Sequence, residues 1–419
     1  MSKYRILSLD GGGSWSIIQI KALRRLFGDV PGREILGHFD LVAGNSGGSI
    51  VAAGLAENLR PSELENLFLD SQLRSNIYSR LKFGEVSFLN RFTKPFQIGP
   101  RYSAERKLHA FQTILPQVSA VPMYELPKIV ADSSGSERTT HFLIVAFDYD
   151  RNRSKFFRSN YRSRARTAHL IGKMRGTKPL DKSEVSITQA IHASSNAPLN
   201  YFDAPAQLQY GGNAPQARYW DGAIGGYNNP VLSAVTEALS NGERAENIEV
   251  LSIGTGFIFL PLADTLPATH PWLLQETTKP SFVNDVLKIS TSILGDPPDA
   301  ATFVSYTFLY PHLPLKSESF VRLNPAVQPV MDDIDNQMYW TVPEGFGPEN
   351  FKRLIGMDLD ATSDEEIELL SCLADEWLND AIPNQPIRND QYLNCIIGHT
   401  TFNVAHKDLL TWEGFIRSA

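Results

Sequence analysis

The stretch Phe39-Asp40-Leu41-Val42-Ala43-Gly44-Asn45-Ser46-Gly47-Gly48-Ser49-Ile50-Val51-Ala52-Ala53 decides the fold class of this chain. Phe39 to Ala43 is an apolar run of strand length, Gly44 to Gly48 a small-residue turn, and Ile50 to Leu55 the start of an Ala-rich helix. The same order occurs once before. Tyr4 to Leu9 reads as a short buried strand and runs directly into Asp10-Gly11-Gly12-Gly13. Ile17, Ile18, Ile20, Leu23, Leu26 and Phe27 then recur at helical spacing. Two strand-glycine-helix units at the start of the chain predict an α/β fold on a parallel sheet.

Working outward, further strands are expected at Lys128 to Ala131, Phe142 to Phe147 and Glu249 to Ile253. Helices are expected at Ile187 to Ser194, after Pro230 (Val231 to Leu239), and at Asp364 to Leu378, where Ser363 and Glu366 make a capping-box pair. Arg60 to Val121 does not fit the alternation. Part of it, Lys82 to Tyr102, mixes Phe83, Phe88, Phe92 and Phe96 with Arg91, Lys94 and Arg101, which suits either a lid at a lipid interface or an irregular core insert. Beyond Gly256 the chain is first Pro-rich.

Composition narrows the function classes. The 419 residues carry 39 Lys or Arg against 46 Asp or Glu, a net charge of -7, which argues against a whole-protein nucleic-acid binder. The charge is uneven: Arg151 to Lys178 holds ten Lys or Arg and no acid, either a solvated hairpin or a patch for anionic headgroups. Two cysteines, Cys372 and Cys395, make neither a disulfide framework nor a zinc site, so no metal or cofactor is expected and a reducing cytoplasm is the default. Met1 to Tyr4 leaves no room for a signal peptide, and no apolar run approaches the length of a membrane span.

The chemistry is concentrated in three places. Gly44-Asn45-Ser46-Gly47-Gly48 between strand and helix has the form of a nucleophile elbow, with small residues at Gly44 and Gly48 and the Gly47 amide facing an oxyanion. It is not a phosphate-binding P-loop, since Ile50 stands where a Lys would be needed. Asp10-Gly11-Gly12-Gly13 offers free amides before a helix, an anion cradle that beside a serine becomes an oxyanion hole. The base is open on residue chemistry alone. His399 in Gly398-His399-Thr400 is one candidate, and Asp221 in Trp220-Asp221-Gly222-Ala223 is the other.

Together, Asp10-Gly11-Gly12-Gly13, Gly44-Asn45-Ser46-Gly47-Gly48 and Asp221-Gly222-Ala223 resemble the patatin-like phospholipase family. Ala193-Ser194-Ser195-Asn196-Ala197-Pro198, Leu251 to Gly256 and Phe320 to Asn324 are similar to its supporting segments. The resemblance covers roughly residues 4 to 380 and implies a three-layer α/β/α fold with a mainly parallel central sheet, an irregular insert and C-terminal helices. It implies one domain over 1–385, with 60–121 as insert or lid, and a C-terminal extension over 386–419. Ser46 becomes the nucleophile, Asp221 its base, and Gly11, Gly12, Gly13 and Gly47 the oxyanion donors, with Gly44, Gly48 and Gly222 shaping the turns. Trp15 and Ser16 depart from the family's usual Arg and Gly, the Arg being thought to organise the glycine loop. The implied activity is that of a lipid acyl hydrolase in transient, peripheral contact with a membrane and acting on phospholipid or another acyl lipid. The alternatives are an α/β-hydrolase esterase with a Ser-Asp-His triad, and an inactive lipid-binding member.

Overall fold

The computed structural model describes residues 3–82, 99–160, 185–199, 201–209, 216–263, 266–275, 277, 279–310, 318–390 and 395–415. Most of the aromatic and basic segment (83–98) and most of the basic stretch (161–178) lie outside the described residues.

The centre is an eight-stranded mixed sheet built from β1 (Tyr4–Leu9), β2 (Leu41–Asn45), β3 (His141–Asp148), β4 (Arg153–Arg158), β5 (Ala206–Gln209), β6 (Gln216–Asp221), β7 (Ile248–Ile253) and β8 (Phe320–Leu323). Their order across the sheet is β5-β6-β3-β2-β1-β7-β8, with β4 also paired to β3. The five strands β3-β2-β1-β7-β8 run parallel, while β4, β5 and β6 are joined to their neighbours antiparallel.

Alternation along the strands creates the layers. Leu7, Leu9, Val42, Ile144, Ala146, Leu251 and Ile253 face one core, shared with the helices Ile17–Phe27, Ser46–Glu57, Ile187–Ser194 and Asp364–Leu378. Ile6, Leu41, Ala43, Leu143, Val145 and Val250 face the other, against Val231–Ser240 and Phe282–Leu309. This is the three-layer α/β/α arrangement. The helix Asp364–Leu378 opens on the expected reciprocal cap: the Ser363 hydroxyl accepts from the Glu366 amide (3.2 Å) and the Glu366 carboxylate accepts from the Ser363 amide (3.0 Å).

Lys128 to Ala131 is a correction. It lies inside a helix, Leu126–Ser134, not a strand. Pro127 in its first turn is tolerated where amides have no intrahelical partner, and Leu126 and Val130, four apart, bury one face. Among its described residues, the region 60–121 contains the helices Pro61–Leu69, Ser71–Ile77 and Ala104–Ile114, and Tyr102, Phe111 and Leu115 are part of the main core. Among residues 395–415, Phe402, Leu409, Trp412 and Phe415 pack into the same core. Among the described residues no helix is long and apolar enough to cross a membrane.

Candidate active site

Strand register assembles the site. β1 ends at Leu9 opposite Gly44 of β2, so the loop after β1 and the turn after β2 emerge side by side at the carboxyl edge of the sheet. Asn45 pairs with Val145 of β3, and Ala146 of β3 pairs with Asp221 of β6. Two strand spacings, about 10 Å, therefore separate the ends of β2 and β6, a gap that a serine and an aspartate side chain close from either side. Ligands of open α/β sheets bind at this edge.

Ser46 begins its helix with φ +46°, in the left-handed region that a non-glycine residue occupies at a cost of about 1–3 kcal/mol. The strain is held on both sides. The Ser46 amide donates to Ser194 Oγ (2.9 Å), and Ser194 Oγ in turn donates to Asn45 Oδ1 (3.4 Å). Close packing around the elbow explains its small residues. A Cβ at Gly48 would lie 2.4 Å from the Leu9 carbonyl oxygen, one at Gly44 would lie 2.8 Å from Ser49 Cα, and one at Gly222 would lie 2.3 Å from Asn45 Oδ1.

Asp221 is buried at the end of β6, and its amide donates to the Asn196 carbonyl (3.0 Å). Its Oδ1 accepts from the Ala223 amide (2.9 Å) and from Asn45 Nδ2 (3.1 Å), and the Ser46 side chain lies near enough to favour the ionised carboxylate. Burial pushes its carboxyl above the usual range. The Ser46 side chain, the bonds from Ala223 and Asn45 and the charge of Lys107 pull it back toward the ionised form. Lys107, on the helix Ala104–Ile114, is itself buried; its Nζ lies 3.2 Å from Ser195 Oγ, 3.3 Å from the His192 carbonyl and 3.9 Å from the centre of the Phe202 ring. Burial holds its pKa well below that of an ordinary lysine.

The glycine loop lies against the elbow. A Cβ at Gly11 would come within 3.0 Å of Ser46 Cβ, and one at Gly47 within 2.7 Å of the Gly13 carbonyl oxygen. Gly13 adopts φ +55°, which a glycine takes without penalty. The donor set expected from sequence needs one correction: the Gly11 amide already donates to the Asn228 carbonyl (2.8 Å), so its hydrogen is not available to an oxyanion. The amides of Gly12, Gly13 and Gly47 have no acceptor among the described residues, the last because it belongs to a helix's first turn.

Trp15 and Ser16 do not dismantle this loop. Trp15 is buried, and its indole N–H donates to the Asp358 carbonyl (3.2 Å). Ser14 donates to the Leu359 carbonyl from its amide (2.9 Å) and to the Ala361 carbonyl from its hydroxyl (2.7 Å). His399 is placed elsewhere. It is buried with Nε2 2.7 Å from Asp408 Oδ2, and its carbonyl accepts from Asn384, so it has a structural partner rather than the serine. Among the described residues no cluster of His, Cys, Asp or Glu could hold a metal ion.

Sequence reasoning did not single out Asn45, Ser194 or Lys107. Asn45 and Ser194 lay inside quoted motifs. Lys107 left a fainter trace: it is three residues from Ala104 and Ala110 and four from Phe111, the buried stripe of its helix.

Among curated proteins, the chain is 42% identical over 65 residues to a cGAMP-activated phospholipase of Pseudomonas aeruginosa, a match covering 16% of this chain and 19% of that one. It is 35% identical over 80 residues to Protein teg of Priestia megaterium, covering 19% of this chain and 24% of the other. The chain thus spans less than a quarter of the length of these relatives. Similar solved structures include human GIVD cytosolic phospholipase A2 (11% identity, 89% of this chain and 58% of that one, TM-score 0.32). Another is VipD from Legionella pneumophila (12% identity, 90% and 67%, TM-score 0.30). The family model described as patatin-like phospholipase matches residues 7–235, more than half of the sequence, and the chain belongs to the patatin-like phospholipase family.

Proposed function

We propose that this chain is a lipid acyl hydrolase of the phospholipase A type, cleaving carboxylic esters through Ser46 and Asp221. One arrangement supports the reading: the strained elbow residue Ser46 stands beside the buried Asp221 carboxylate, whose ionised form its side chain favours, next to the uncommitted amides of Gly12, Gly13 and Gly47.

In the first step Ser46 Oγ bonds to the ester carbonyl carbon while its proton passes to Asp221. The carbonyl oxygen becomes an oxyanion held by the Gly12, Gly13 and Gly47 amides. The ester C–O bond then breaks, and the proton on Asp221 goes to the departing alkoxide, leaving an acyl-enzyme. In the second step water attacks that carbon, its proton moves to Asp221 and then to Ser46 Oγ, and the fatty acid leaves. An ordinary carboxylate is a poor base at neutral pH. Burial of Asp221 raises its basicity, and a substrate chain closing the site against water raises it further.

A peripheral, transient contact with the lipid surface completes the reading, in a reducing cytoplasm consistent with the free exposed thiol of Cys372. The test is labelling by a fluorophosphonate and fatty-acid release from phospholipid vesicles. Ser46→Ala is expected to abolish both, and Asp221→Asn to lower both by at least a thousandfold, on the order of triad-base losses. Fatty-acid release that persists in Ser46→Ala would refute the assignment.

A further inference from the structure

Asp10 opens the glycine loop, yet its carboxylate takes no part in the chemistry above. It meets the guanidinium of Arg322, on β8, in a forked pair: Nη1 to Oδ1 at 3.0 Å and Nη2 to Oδ2 at 2.6 Å. Arg322 Nη1 also donates to Ser252 Oγ of β7 at 2.8 Å. The two side chains are only 6% and 5% exposed. Burial raises the Asp10 carboxyl, and the charge and hydrogen bonds of Arg322 oppose that shift.

A buried ion pair is a poor stability device, because desolvating both charges offsets most of their attraction. A two-pronged Arg-carboxylate pair fixes orientation instead. Its location gives that fixing a use. The Asp10 amide is bound to the Ile253 carbonyl (3.1 Å), and the Asp10 carbonyl accepts from Gln19 Nε2 (2.9 Å). Thr255 Oγ1 donates to the Gly11 carbonyl (2.8 Å), and Ser14 is bound to Leu359 and Ala361. Gly12 and Gly13, whose amides are uncommitted, therefore hang between two fixed ends, one of them closed by Arg322.

We infer that Arg322 is a positioning residue for the oxyanion hole, acting through Asp10 to hold the Gly12 and Gly13 amides in register with Gly47. It lies outside residues 7–235, so the second half of the chain contributes to the catalytic geometry. The inference rests on the proposed acyl-hydrolase reading.

The experiment uses the full chain with Arg322→Met, Arg322→Lys and Asp10→Asn, each counted by fluorophosphonate titration of Ser46. Two assays are run: kcat and KM on a monomeric ester, and inhibition by a trifluoromethyl ketone, which forms a tetrahedral oxyanion on Ser46. Arg322→Met is expected to lower kcat about tenfold to a hundredfold, less than deletion of a donor outright, and to weaken the ketone by the same factor. KM should stay within twofold, and Arg322→Lys should recover part of the loss. A folded Arg322→Met with unchanged kcat per titrated site and unchanged ketone affinity overturns the inference. If Arg322→Met fails to fold, Asp10→Asn, nearly the same size, decides by the same two readings. A wild-type protein that neither turns over ester nor reacts at Ser46 defeats both this inference and the acyl-hydrolase reading. An active wild type with unaltered variants defeats only the role of Arg322.

Discussion

Gly47→Ala is the most incisive perturbation of the site, because its effect can be worked from distances. The added methyl would lie 2.1 Å from Ser16 Oγ, 2.7 Å from the Gly13 carbonyl oxygen and 2.9 Å from the Gly13 nitrogen. Comfortable contact begins near 3.5 Å, so Gly13 must retreat by about 0.7 Å even if the Ser16 hydroxyl rotates aside. Oxyanion donors act at about 2.7–3.1 Å, and a retreat of that size takes the Gly13 amide out of range. Loss of one such donor costs about a hundredfold to a thousandfold in kcat, and overpacking adds about 1–3 kcal/mol of instability. The assay is hydrolysis of a monomeric chromogenic ester per fluorophosphonate-titrated site, with thermal unfolding measured alongside. The double variant Ser16→Gly with Gly47→Ala sharpens the test. It removes the 2.1 Å contact and should restore part of the stability, but it leaves the Gly13 backbone displaced and kcat low. A single variant whose kcat stays within threefold of wild type, or a double variant that recovers full turnover, would refute the reasoning.

Lys107→Met should move the acid limb of kcat/KM to higher pH. In the proposed mechanism turnover needs Asp221 ionised; burial already raises its pKa and the Lys107 charge opposes that rise, so removing the charge lets Asp221 take up its proton earlier as pH falls. An unmoved limb in a folded variant would assign Lys107 a packing role alone. His399→Gln removes the partner of Asp408 and should cost about 1–2 kcal/mol of stability while leaving activity within twofold. A well-folded His399→Gln without ester hydrolysis would restore the histidine triad.

Features encoded locally were legible in the sequence. The helix Ile187–Ser194 and the helix Asp364–Leu378 with its Ser363 cap were read to the residue, because caps and periodicity act over one or two turns. The elbow at Ser46 was legible because a strained strand-to-helix turn demands small neighbours. What escaped depends on distant partners. The Gly11 amide is engaged by Asn228, and no local pattern announces that bond. Asp10 and Arg322 stand 312 positions apart, and their pairing becomes visible only when β1, β7 and β8 are laid side by side. The helix Phe282–Leu309 is not among the expected helices, and it runs through Pro297 and Pro298, residues that usually interrupt a helix interior. Leu126 to Ser134 misled in the opposite direction, since a short apolar run does not distinguish a strand from one buried helical face.

The anchoring of the glycine loop also has a meaning in time. Residues 10–16 leave the ribosome before the groups that tether them, since Arg322 and the carbonyls of Asp358, Leu359 and Ala361 are synthesised more than three hundred residues later. Until that late segment folds back onto the sheet, a nascent chain carries its serine without a finished cradle for the oxyanion.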